Sequence, residues 1–71
     1  EKGCLEYGPT IDLGTDIPVQ SPVRDNTVIV VEKWSDLSAL KDHLKAPHMA
    51  EYRTRVKDLV RGVTLRILAP A

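Results

Sequence analysis

Between Val28 and Trp34 the chain reads Val-Ile-Val-Val-Glu-Lys-Trp, and its run of four β-branched residues predicts a strand. On a strand, Val28, Val30, Glu32 and Trp34 share one face, and Ile29, Val31 and Lys33 share the other. Both faces are apolar at the centre, which predicts cover on two sides, with Glu32 and Lys33 nearer an exposed end. Immediately downstream the period changes. Leu37, Leu40 and Leu44 recur at helical spacing, so a helix is expected over Asp36–Leu44 with its leucines against the sheet. Ser35 is its expected cap, Asp36 lies against the positive end of its dipole, and His43 flanks the leucine stripe. Pro47 opens a second helix at the position proline favours; Met49, Tyr52, Val56, Leu59 and Val60 form its apolar face until Gly62 stops it. Val63–Leu68 then alternates, predicting a last strand with Thr64, Arg66 and Leu68 on one face, ended by Pro70.

Upstream, Glu1-Lys2-Gly3 has the form of a helix end and Cys4-Leu5-Glu6-Tyr7 that of a strand. Gly8-Pro9 punctuates this strand, and Thr10-Ile11-Asp12-Leu13 resumes it after a bulge, which describes a bent edge strand. Gly14 to Asn26 has loop composition and no sustained period. It is long for a hairpin connection: a surface excursion, or cover for a pocket mouth. The expected order is strand, loop, strand, helix, helix, strand, without repeats.

Composition narrows the possibilities. Seventy-one residues make a single domain, 1–71, and one this small buries only about 60% of its unfolded surface, so a partner chain is expected. Ten basic and ten acidic residues leave no net charge, hence no electrostatic footprint for nucleic acid or an anionic membrane. A single cysteine, Cys4, excludes a disulfide framework within the chain and fits a reducing compartment. No apolar run approaches the roughly 20 residues that span a bilayer, and no signal-like segment is present. A soluble, cytoplasmic protein is expected.

Gly3-Cys4-Leu5-Glu6-Tyr7, then Glu32-Lys33-Trp34, Ser35-Asp36, Ala39-Leu40, His43 and Pro47-His48 follow one another in an order and spacing that resembles the antibiotic biosynthesis monooxygenase family. The resemblance runs from Gly3 to about Leu68. It implies a ferredoxin-like α+β fold of the dimeric α/β barrel type, a homodimer, and a pocket between sheet and helices for an aromatic or quinol-like substrate. It also implies O2 as oxidant and no prosthetic group. Two departures matter: the family's first strand and first helix, which would precede Glu1, are lacking, and the connection between the first two strands here is longer than the family's. An unfilled strand position leaves backbone groups unpaired, each costing about 1–3 kcal/mol if buried. The chain is therefore expected to be an incomplete domain, or one whose gap is filled by other residues or another chain.

Oxygenation without flavin or metal requires an ionised substrate. A phenol with pKa near 10 is roughly 0.1% ionised at neutral pH, and making it half ionised requires about 4 kcal/mol. A histidine base with donors aimed at the oxyanion suits that task. His43 and His48 are the two candidate bases, against the plainer readings of a histidine at a helix C-terminus and one bonded locally at a helix start. Trp34 is a candidate stacking wall and N–H donor, Tyr52 an auxiliary donor and Arg66 a contact for a substrate oxygen; plain packing, a core position and solvent exposure are their alternatives. A metal site on His43 and His48 is disfavoured because a proline break separates them and no zinc-type motif surrounds them. An isomerase or haem-degrading relative on the same fold, or a non-catalytic ligand-binding dimer, are the competing functions.

Overall fold

A computed structural model describes residues 1–71. Its elements are β1 (Cys4–Thr10), β2 (Ile29–Trp34), α1 (Leu37–Lys45) and α2 (Pro47–Val56). The two strands form an antiparallel ladder from Thr10↔Ile29 to Cys4↔Trp34, and the helices follow in sequence, giving a small α+β arrangement that corresponds to part of a ferredoxin-like fold.

The ladder register decides which side chains meet. Between Cys4 and Glu6 on β1 only one step is taken on β2, from Trp34 to Lys33, so Leu5 is an extra, bulged residue. Cys4 and Tyr7 are three positions apart and would otherwise lie on opposite faces. The bulge puts both beside Trp34 and Glu32. It therefore lies at Leu5, not at Gly8-Pro9; Pro9 sits within the ladder opposite Val30, its donor-less nitrogen facing away from β2. β1 also ends at Thr10, three residues earlier than the pattern predicts.

The long connection that follows is tied to itself. The Asp12 carboxylate accepts from the Arg24 backbone N–H (2.9 Å), Nε (2.8 Å) and Nη2 (2.9 Å), and Gln20 Nε2 donates to the Leu13 carbonyl (2.6 Å). The Arg24 bonds hold the Asp12 carboxyl down at about 2, against an ordinary 3.8, with the Arg24 side chain as the largest cause. A depressed carboxyl contributes to stability above its unfolded value and loses that contribution as pH falls from about 4 through 2. A carboxyl 13C titration should place the Asp12 midpoint near 2, and Arg24→Gln should return it toward the ordinary value. An unchanged midpoint in the variant would refute the staple.

Asp36, not Ser35, caps α1: its backbone is extended and its Oδ1 accepts from Ala39 N at 2.8 Å, a carboxylate both bonding the free donor and facing the helix dipole. Of the leucine stripe of α1 only Leu40 is half-buried. Leu37 and Leu44 are exposed, while His43, at 3% exposure, is the one fully buried residue of the chain. The cause is a close approach at Ala39, one turn earlier: a Cβ on Gly3 would lie 2.6 Å from Ala39 Cβ. Gly3 itself has φ +82°, open to glycine at no steric cost.

Ala46 serves as the end of α1 and the start of α2, held extended (φ −61°, ψ 140°) ahead of Pro47. α2 stops at Val56, with Leu59 and Val60 N–H turning back to the Val56 carbonyl, so the longer apolar face expected up to Val60 is not one continuous helix. Val63–Leu68 forms no strand: Val63, Leu65, Ile67 and Leu68 are all exposed. Alternation makes a strand only where a neighbour supplies ladder partners, and none lies beside this segment. The expected two-sided cover of β2 is likewise missing, since Val30 and Val31 are both exposed.

No hydrophobic side chain is fully buried. The chain exposes 6745 Å², against about 4,400 Å² for a compact folded protein of this mass. Its extents, 40 × 36 × 15 Å, describe a thin slab. No helix is long and apolar enough to cross a membrane.

Candidate functional site

A cleft of about 590 Å³ opens between the Cys4–Tyr7–Trp34 face of the ladder and the two helices. His43 reaches into its floor from α1. The Trp34 ring lies 4.6 Å from the His43 ring, tilted at 39°, and Tyr7 meets it edge-on at 5.7 Å. The kink at Ala46-Pro47 turns α2 so that the His48 ring stands 5.9 Å from His43. Tyr52, four residues beyond His48 and three beyond Met49, continues the wall together with Met49.

Glu1 joins the two imidazoles. Its Oε1 accepts a hydrogen bond from His43 Nδ1 at 2.7 Å and lies 2.7 Å from His48 Nε2. The His43 hydrogen bond, followed by the charge of the two rings, lowers the Glu1 carboxyl below the usual range, so the group is an ionised acceptor. His43 Nδ1 must then carry the hydrogen, and a neutral ring keeps its lone pair on Nε2. That Nε2 is buried without a partner, 3.9 Å from Glu32 Oε1. Glu32 in turn accepts the Trp34 indole N–H at 2.9 Å. The expectation that Glu32 lies toward an exposed strand end is thus corrected; it faces inward beside Trp34. Burial, then the Glu32 charge, raises the Tyr7 phenol above its ordinary value and keeps it protonated.

Glu1, His43 and His48 offer three donor atoms within 4.8 Å of one another, the residues here that could hold a cation. Bonds of 2.0–2.1 Å in a tetrahedral site would hold ligand atoms about 3.3 Å apart. The two 2.7 Å separations are shorter than that, and the His43 one is a hydrogen bond.

Of the residues singled out in the sequence, the fold gathers Trp34, His43, His48 and Tyr52 at one cleft. Arg66 is exposed in the irregular C-terminal segment and lines no part of it. Sequence reasoning missed Glu1, Tyr7 and Glu32. Glu1 reads as part of a helix end, and its partner lies 42 residues away; the spacing of Cys4 and Tyr7 hides their shared face unless the bulge is known.

The family model described as antibiotic biosynthesis monooxygenase matches residues 1–55. Three curated relatives, each described as "Probable quinol monooxygenase YgiN", come from Escherichia coli K12, Escherichia coli O157:H7 and Shigella flexneri. Each is 36% identical over 70 residues, covering 99% of this chain and 66% of the relative, so the chain spans just under two thirds of their length. No solved structure matches it at a comparable level.

Proposed function

This chain belongs to the antibiotic biosynthesis monooxygenase family, and from that premise we propose that it forms the catalytic cleft of a monooxygenase acting with O2 on a quinol or aromatic polyketide-like substrate, without a prosthetic group. The observation that carries the reading is the cleft itself: two imidazoles each 2.7 Å from one ionised carboxylate oxygen, beside an indole wall. The substrate supplies the electrons. Its hydroxyl loses a proton to an imidazole, the resulting oxyanion is rich enough to reduce O2, and one oxygen atom enters the substrate while the other leaves as water. Taking up that proton beside Glu1 is favourable because the new imidazolium meets an opposite charge. Trp34 is the stacking wall and Tyr52 an auxiliary donor.

The same proposal includes a homodimer in the cytoplasm. It is supported by the excess of about 2,300 Å² of exposed surface over a compact fold, within the range that obligate interfaces bury, and by the lone thiol of Cys4.

Oxygen uptake with a panel of quinols and anthrones tests the reading. Uptake above the buffer rate that His43→Ala or His48→Ala lowers by about 100-fold or more is expected. Uptake no faster than buffer in a folded protein would remove the oxygenase assignment.

A further inference from the structure

The two histidines are not equivalent. His43 is enclosed: its ring is packed against Trp34 and Tyr7, its Nδ1–H is committed to Glu1, and its Nε2 lies buried beside Glu32. A substrate hydroxyl has no route to either nitrogen without displacing that packing. His48 is different, with 58% of its side chain exposed at the cleft. Its Nε2 sits 2.7 Å from a Glu1 carboxylate oxygen, an ion-pair contact that holds the ring at the cleft.

We propose that Glu1 is a positioning residue, fixed by buried His43 and in turn fixing His48, and that His48 alone is the base in contact with substrate. The proposal rests on the oxygenase reading above. In the step, the substrate O–H bond breaks, the proton passes to the His48 imidazole and the electron pair stays on the substrate oxygen. The site needs the carboxylate for a reason its backbone supplies. His48 is the second residue of α2, where the helix dipole opposes a positive charge, and Glu1 offsets that opposition as the imidazolium forms. The arrangement has the logic of a base oriented by an acid, with a buried donor holding the acid in place.

The chain contains just these two histidines, so imidazole 15N–1H correlation spectra can be read without ambiguity. In the native protein His43 should show the Nδ1–H tautomer, and Glu1→Ala should abolish it. With an anthrone as probe, Glu1→Ala should lower kcat about 10- to 100-fold with little change in KM, added formate should restore part of the loss, and Glu1→Asp should retain most of the rate. His48→Ala should lose about 100-fold or more and not respond to formate, whereas His43→Asn, whose amide can still donate to Glu1, should keep a tenth or more of the rate. An Nε2–H tautomer at native His43, a folded Glu1→Ala protein deaf to formate, or His43→Asn as damaging as His48→Ala would each overturn the proposal while native uptake stands. A native protein without uptake overturns the base role of His48 together with the oxygenase reading, a result separable from the others because the tautomer spectra need no turnover.

Discussion

Replacing Trp34 with alanine is expected to lower stability by about 2–3 kcal/mol and to cost most of the oxygen uptake. A fully buried tryptophan truncated to alanine costs about 3–5 kcal/mol, and Trp34 is half-buried, which sets the lower figure. The indole also covers the His43 ring at 4.6 Å and donates to Glu32 at 2.9 Å. Without it His43 gains solvent and the inward-facing Glu32 loses its hydrogen-bond donor. Trp34→Phe separates the two effects, because it keeps a ring over His43 and removes the N–H, at about 1 kcal/mol. Urea unfolding followed by circular dichroism measures both. Equal midpoints for the two variants would show that the ring does not support the site.

A side chain at Gly3 should be the other costly change. Gly3 holds φ +82°, a backbone conformation that costs an L-residue about 1–2 kcal/mol. A Cβ there would also meet Ala39 Cβ at 2.6 Å and Ser35 Oγ at 2.9 Å, and overpacking of this kind adds about 1–3 kcal/mol. Gly3→Val is therefore expected to lose about 2–5 kcal/mol, a large part of the roughly 4–11 kcal/mol that a folded chain of this length commands. Gly3→Asn should fall between, since asparagine tolerates positive φ but keeps the Cβ contact. The effect reaches the cleft: pushing on Ala39 displaces His43 one turn along α1, and with it the bond to Glu1. The same unfolding curves, with the His43 Nδ1–H signal as a local reporter, check this. A native-like His43 signal in a folded Gly3→Val protein would contradict it.

Val30 and Val31 lie on opposite faces of β2 and both are exposed, as are the alternating residues of Val63–Leu68. At these positions neither face of β2 nor the Val63–Leu68 segment is covered by other elements of the chain.

The sequence by itself determined what depends on near neighbours. The β-branched run Ile29–Val31 made β2, Pro47 fixed the start of α2, and Trp34, His43, His48 and Tyr52 stand close enough in sequence to be marked as one cluster. The family was legible for the same reason, since its marks lie in those continuous segments. Even locally, competition between adjacent groups was hard to read: Asp36 took the cap from Ser35 because a carboxylate both accepts the Ala39 N–H and answers the dipole. Only the tertiary structure decided the rest. The bulge at Leu5 brought Tyr7 to the cleft beside Cys4, the close approach of Gly3 to Ala39 turned His43 inward in place of the leucines, and the ladder carried Glu1 to a partner 42 residues distant. Arg66 was left outside because its segment found no strand to pair with. Propensity and periodicity act over one or two turns of chain, whereas a register shift of one residue exchanges the faces of a whole strand end, and nothing local records it.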